Sequence, residues 1–517
     1  MIKLLLKYPV SSILCSCLLF FITAGMFFSN NYVNNFQINY MIVSLFLIFL
    51  QKKYIDRFLI FFVSAIFLAL NVLFPFNSQY ILIFQILLVM YTAFKDNKNN
   101  QKFTFYAIFI SFLVHLFYIT CTDIDFRQHD LNGTLYYMKK ITENGLNWKF
   151  FDPWYMYYFF HQPLHFILIE YVLKFSSFVW KSNTVSLESL QYLSLFYVTT
   201  TAFFIAKILH LLNLKGYLYK ATLILLIFNP TFTLFSGYIS DDVPVLFWSI
   251  FTTYFIIKWY KTNELKYIII GGIGLGLGTL TKLSILLLAP AMSWIFLYKL
   301  IKDKDKELII RGISLFVIVT IPIALLWIIR NHILFDMQFY NIPDTSPMGQ
   351  NFKFLKLSDR IGDFSMLFTP FINAPHTADA NMILALIKTE LFGEWDFSIL
   401  NKQIFIPAFI LYILNLLIKI SALISIIFIS LKKNIKDKSL LIFFMITYVG
   451  CWLYAIKYAI DYPYVCSSDY RLFTLLLLPE AIILGKIFIT NKLRERTLLT
   501  ICTLYATLSV VIYIFSI

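Results

Sequence analysis

Long apolar runs alternate with short polar connections along almost the whole chain. Runs near 11–28, 39–51, 57–75, 79–95 and 103–120 are followed by others near 187–212, 220–238, 243–260, 266–281 and 283–300. The series ends with runs near 310–330, 404–431, 439–460, 470–490 and 497–517. Most approach the roughly 20 residues that a helix needs to cross a bilayer. The pattern predicts an all-α polytopic membrane protein of about fifteen transmembrane helices. The first run follows Lys3 and Lys7 and resembles a signal peptide. No small-residue cleavage site follows it, so it is read as a retained first helix.

Two connections are too long to be mere links, 121–188 and 331–403. Within the first, Pro163 to Trp180 is apolar but interrupted by Glu170 and Lys174. A crossing there would invert the charge pattern of the helices that follow. The segment is therefore expected to lie along the outer membrane surface as an amphipathic helix. Composition agrees with a membrane protein: 60% of residues are hydrophobic, 14% are charged, and the mean hydropathy is +0.75.

The formal charge of +15 raises the question of a nucleic-acid partner, and its distribution answers it. With the N-terminus in the cytoplasm, 27 Lys/Arg fall on inner loops and span ends and 15 outside. This is the bias that orients membrane helices, so no nucleic acid is implied. Acids run the other way, with 19 of the 28 Asp/Glu outside and eight inside. Five of the seven histidines are also outside. Any chemistry is therefore expected on the extracytoplasmic face of a cell membrane. Midplane charges would favour a transporter, and only Lys419 and Glu480 are clearly mid-span.

The outer polar residues gather in a few places. Arg127-Gln128-His129-Asp130 follows the fifth run, and His161-Gln162-Pro163-Leu164-His165 answers it about thirty residues later. A carboxylate at a dry membrane boundary is pushed toward a raised pKa, while Arg127 and His129 push it back. Asp130 is thus suited to act as a general base, or it is a solvated or capping acid. Ser240-Asp241-Asp242 forms a tight outer turn, where the two acids either cap a helix or offer oxygen ligands to a divalent ion. The histidines lack HExxH or Cys–His spacing, which argues against zinc. Gly271-Gly272, Gly274, Gly276 and Gly278 lie inside a predicted membrane helix and read as close helix packing, not as a nucleotide loop. Lys282 follows at the outer end, poised to snorkel or to hold a phosphate. Arg471, also at an outer end, offers bidentate anion binding or pairs with Asp469 or Asp461. Cys121 and Cys466 fall near the same face, where an oxidising compartment would permit a disulfide.

In this order, the segments resemble a GT-C superfamily glycosyltransferase, in the group related to protein O-mannosyltransferases and lipid A aminoarabinose transferases. Arg127-Gln128-His129-Asp130 matches the acidic motif of the first outer loop. His161-Gln162-Pro163-Leu164-His165 resembles the start of that loop's surface helix, with one proline where the family pattern has two. Asn229-Pro230, Ser240-Asp241-Asp242 and Leu275–Lys282 resemble the central helices, and Phe392-Gly393-Glu394-Trp395 a late outer motif. Asp469-Tyr470-Arg471 with Pro479 resembles the terminal signature, with Tyr and Arg exchanged. The likeness spans roughly 100–490. It implies additional N-terminal helices over 1–100, a catalytic module over 101–490 and a last helix over 491–517.

The resemblance implies a polyprenyl-phosphate-linked sugar as donor, drawn from the membrane lipid, and an acceptor that is not identified. Asp130, assisted by His129, would deprotonate the acceptor hydroxyl, and attack would invert the anomeric carbon. Lys282, Arg471 and Arg127 would receive the lipid phosphate, with a divalent ion at Asp241 and Asp242 as a further contributor. His161, His165 and Glu394 would face the sugar or acceptor. Two competitors remain open. One is a surface-polysaccharide polymerase or ligase; the other is a lipid or sugar transporter.

Overall fold

The computed structural model describes residues 100–128, 130–180, 187–338, 357–372, 380–399, 401–431, 437–462, 465–487 and 491–517. Every regular element among them is helical. The first ten α-helices are α1 (Asn100–Thr120), α2 (Leu131–Asn144), α3 (Leu164–Trp180), α4 (Gln191–Leu211), α5 (Gly216–Ile227), α6 (Pro230–Gly237), α7 (Asp242–Thr262), α8 (Leu265–Thr279), α9 (Ala289–Lys302) and α10 (Lys306–Phe335). Then come α11 (Leu357–Gly362), α12 (Met382–Phe392), α13 (Phe405–Leu431), α14 (Lys438–Asp461), α15 (Leu477–Ile487) and α16 (Lys492–Phe515).

Nine helical segments among the described residues are long and apolar enough to cross a membrane, which makes this a multi-pass membrane protein. The four runs expected between 11 and 95 lie outside the described residues. Two other expected spans are shorter or broken. The run at 266–281 is the fifteen-residue α8. The run at 470–490 opens as a 3-10 stretch, Tyr470–Leu476, before α15.

At the centre, residues 217–237 are all buried. The run is broken at Asn229, whose side chain accepts the Thr231 N–H at 2.9 Å while Pro230 opens α6. Proline is favoured there because the first helical N–H has no partner in any case. The glycine run of α8 lets that helix wedge between α7 and α10. A Cβ at Gly274 would stand 2.7 Å from Phe251, and one at Gly276 would stand 2.8 Å from Ile323. The backbone approach on the α10 flank is seen again where the Thr320 hydroxyl donates to the Gly272 carbonyl at 3.1 Å. Small residues at this spacing are packing devices. Their consequence is to fix the end of α8 and hence Lys282.

Contacts sort the loops to two ends, as the alternation of spans requires. At one end Lys261 donates to the Leu211 carbonyl at 2.5 Å and approaches Asp437 at 3.8 Å. There too Asn263 bonds Asp303 at 3.0 Å and Arg496 bonds the Tyr217 hydroxyl at 3.2 Å. At the other end the long segment after α1 folds over the bundle. Buried Arg330, near the end of α10, donates to the carbonyls of Trp148 and Phe151 and stacks on Trp327. The Trp154 indole bonds the Phe335 carbonyl at 2.9 Å.

Helix α3 packs against α2 in this cover. Phe166 and Ile169 are buried, while Tyr171, Phe175 and Phe178 are exposed. Glu170 is buried beneath the Thr142 hydroxyl, with Lys174 at 3.3 Å. The helix therefore has one face on the protein and a mostly aromatic face turned away. That division suits a helix lying in a lipid interface.

Candidate functional site

The chain between α1 and α2 makes two left-handed residues, Arg127 (φ 55°) and Asp130 (φ 56°). Asp tolerates this conformation better than most side chains. The Asp130 carbonyl accepts the Thr134 N–H at 2.9 Å and so starts α2, but its side chain makes no capping bond. The carboxylate points instead to Arg471, whose Nη1 lies 2.7 Å from Oδ2, and accepts the Tyr158 hydroxyl on Oδ1 at 3.3 Å.

Arg471 is the hub of the site. Its Nε donates to Asp469 Oδ2 at 2.8 Å, and its Nη1 also reaches Asp242 Oδ2 at 3.3 Å. Asp469 caps the turn through the Arg471 N–H at 3.1 Å. The expected pairing with Asp469 is therefore present, and two further acids join it. Asp242 Oδ1 accepts Lys282 Nζ at 2.5 Å, and Lys282 also donates to Asp241 Oδ1 at 2.9 Å. His161 Nδ1 stands 3.3 Å from Asp241 Oδ2. A continuous polar chain thus runs His161–Asp241–Lys282–Asp242–Arg471, ending on Asp130 and Asp469. It joins segments up to 341 positions apart in sequence.

Burial grades this chain. The Asp242 and Asp469 side chains are buried and that of Arg471 is only 11% exposed, whereas Asp130 is 48% exposed. The reachable tip of the network is a carboxylate. Helix capping at the Ser240 turn falls to the serine: its hydroxyl accepts the Asp242 N–H at 3.1 Å and donates to Oδ2 at 2.9 Å. The Asp241 side chain makes no capping bond, and both aspartates face the cations. Burial opposes the charged form of Asp241, but Lys282 and His161 outweigh it and hold the carboxyl well below the usual range. The Lys282 ammonium is likewise held up by Asp241 and Asp242 against its burial.

The remaining expected residues fall elsewhere. Arg127 turns to the end of α16, donating to the Ser516 hydroxyl and carbonyl at 3.0 and 2.9 Å and stacking 3.7 Å above the Phe397 ring. It is thereby engaged away from Lys282 and Arg471, the other two residues expected at a phosphate. His165 is buried at the start of α3, with Nε2 3.2 Å from the Ile239 carbonyl. It secures the turn before Ser240 and does not face Asp130. His129 lies outside the described residues. Gln128, which carried no expected role, is a latch. It donates to the Gly237 carbonyl and accepts the Ile239 N–H at 3.1 Å, tying the Asp130 loop to the Asp241 turn. Asp241 and Asp242 direct oxygens at Lys282, and no group of three His, Cys, Asp or Glu among the described residues has metal-binding geometry. Cys121 carries a free thiol, and the Cys466 side chain lies outside the described residues.

Glu394 follows Gly393 (φ 58°), which ends α12. Burial raises the Glu394 carboxyl to about 7; Asp469 and Asp130 add to the effect and Arg471 opposes it. A carboxyl whose folded pKa lies above its unfolded value binds more protons when folded. Its contribution is fully present below the unfolded value of 4.5 and is lost as pH rises through about 7. Replacing Glu394 with Gln is therefore expected to flatten the fall in stability between those limits, by at most about 1.4 kcal/mol per pH unit. Melting curves of detergent-solubilised wild type and Glu394→Gln at pH 5 and pH 8 test this. Glu188, also raised to about 7 by burial, remains in both proteins as a common background. Equal pH dependence in the two would show that Glu394 does not titrate in this range.

No protein-family model, curated protein or solved structure matches this chain.

Proposed function

We propose that this protein is an integral membrane glycosyltransferase of the GT-C kind. It moves a sugar from a polyprenyl-phosphate donor to an acceptor hydroxyl on the extracytoplasmic face. The observation that carries this reading is the half-exposed Asp130 held 2.7 Å from Arg471, at the accessible end of a buried Lys282–Asp242–Arg471 network. Asp130 takes the hydroxyl proton, and the acceptor oxygen attacks the anomeric carbon with inversion. The C–O bond to the lipid phosphate breaks, and its electron pair leaves with the phosphate. That leaving group needs no proton, so one carboxylate suffices where glycoside hydrolysis uses two.

The charge balance adds a step. Asp130, Asp241, Asp242 and Asp469 outnumber Lys282 and Arg471, so neither cation is idle. A donor phosphate binds Arg471 by displacing its most exposed partner, Asp130. The exchange sets the anion on a fixed guanidinium, which stabilises the departing charge. The same exchange frees the Asp130 carboxylate to accept a proton.

The test is a panel of radiolabelled polyprenyl-phosphate sugars supplied to membranes containing the protein, with and without EDTA. Transfer from at least one donor into a larger product is expected. Failure of every donor, with the protein folded and at the membrane, would overturn the reading. A transporter is the second reading, and one observation favours it: Lys419 pairs with Glu390 and Glu480 deep in the bundle. Uptake of the intact labelled lipid or sugar, without transfer, would select it.

A further inference from the structure

Gly133 lies in the first turn of α2, where a glycine weakens a helix by about 1 kcal/mol relative to alanine. Its neighbour accounts for it. A Cβ there would lie 1.8 Å from Tyr158 Cζ and 2.1 and 2.2 Å from the two flanking ring carbons. The Tyr158 ring therefore lies across the bare backbone, and its hydroxyl reaches Asp130 Oδ1 at 3.3 Å. The ring is held from behind as well. It belongs to the 3-10 turn Tyr157–Phe160, whose Phe159 is buried with ring centroids 5.2 Å from both Tyr137 and Phe151. The Phe159 carbonyl accepts the Trp327 indole N–H at 3.3 Å. The turn then delivers His161 to Asp241, with the His161 ring 6.1 Å from that of Tyr158.

We propose that Tyr158, seated on Gly133, is a positioning residue that fixes and polarises the Asp130 carboxylate. This rests on Asp130 being the general base. The carboxylate is held at both oxygens, by Tyr158 on one and Arg471 on the other. When the donor phosphate draws Arg471 away, Tyr158 is the donor that keeps the second oxygen aimed at the acceptor. Other charged groups near Asp130 among the described residues include Glu394 and, through Arg471, Asp242 and Asp469.

The experiment uses the full chain in detergent or lipid nanodiscs, as wild type, Tyr158→Phe, Gly133→Ala and the double variant. Tyr158→Phe is expected to lower kcat by about 10- to 100-fold, the weight of a hydrogen bond to a charged group, with donor KM little changed. The acid limb of the pH–rate profile should move to higher pH, because the lost donor favoured the ionised form. Gly133→Ala should match Tyr158→Phe, since it pushes the ring from its seat, and combining the two should add little. Infrared titration of the carboxyl band that Asp130→Asn removes gives a readout independent of turnover. Its midpoint should rise in Tyr158→Phe. An unmoved acid limb together with an unmoved infrared midpoint would overturn the proposal. If the wild type transfers no sugar from any donor, the functional reading fails, and the infrared midpoint alone still decides the role of Tyr158.

Discussion

Asp130→Asn is expected to lower sugar transfer by about 10²–10⁴-fold, the range lost when a positioned general base is removed. The substitution hardly alters volume, and Asn can still accept the Tyr158 hydroxyl. Arg471 keeps Asp469 and Asp242 when it loses Asp130, so the hub remains paired. The Asp130 side chain is also 48% exposed, which spares the fold a buried vacancy. Expression and melting temperature should therefore stay close to wild type, and donor binding should be no weaker because the carboxylate that competes for Arg471 is gone, while initial rates at saturating donor collapse. Turnover within about threefold of wild type would remove Asp130 from the chemistry. The role would then pass to Asp241 or Asp242, both held by Lys282 and both buried. Substituting either of those strips a partner from a buried ammonium, so a loss of activity there would come with a loss of stability.

The site was only partly legible in the sequence, and particular residues show why. Asp130, Lys282 and Arg471 stood out because each is a charged group at the end of an apolar run. That is a local signal, and the structure brings all three into one network. Which acid meets which cation is not local. Asp130 and Arg471 are 341 positions apart, and their pairing depends on how α1, α7, α8 and the 470–476 turn share one end of the bundle. The two histidines of the 161–165 motif looked equivalent. One precedes α3 and reaches Asp241, while the other is inside α3 and reaches a carbonyl, a difference that only the helix start decides. Tyr158 carried no motif. Its sole trace was Gly133 opening a helix, and a glycine does not name the ring that lies on it.

Helix boundaries show the same limit. Apolar length located the nine segments because bilayer thickness sets that length directly. It misjudged 470–490, where the capping bond of Asp469 starts a 3-10 turn that carries Arg471. It also gave no hint of α12, an eleven-residue helix inside the long connection 331–403. Its Glu390 is buried among the spanning helices as a partner for Lys419. The lone charges at 419 and 480 do meet, as the cost of an unpaired ion in that setting requires, although no pairing was read from the sequence. The third member came from a segment too short to be read as part of the membrane region.

Lys419→Met is expected to destabilise the protein by about 3–5 kcal/mol, the cost of leaving buried charges without their partner. Lys419 Nζ stands 2.6 Å from both Glu390 Oε2 and Glu480 Oε2, and all three side chains are buried. Glu390 has supporting donors, Asn229 at 3.0 Å and Asn415 at 2.9 Å, but among the described residues Lys419 is what bridges the two acids. Without it two carboxylates face each other in an apolar bundle. The same geometry predicts a rescue. Lys419→Met combined with Glu390→Gln and Glu480→Gln removes every charge at nearly constant volume, and is expected to recover most of the stability lost in Lys419→Met. Thermal unfolding followed by tryptophan fluorescence in detergent compares the three proteins. If Lys419→Met melts like wild type, the triad is not an ionic one. The stable triple variant then discriminates between the two functional readings. A triad that only ties α12 to α13 and α15 can lose its charges and leave sugar transfer intact, because Thr389 still holds the Tyr470 N–H at 2.9 Å and keeps Arg471 in place. A triad that carries an ion or a proton through the bundle cannot, and its neutral variant would fold yet be inactive in transport.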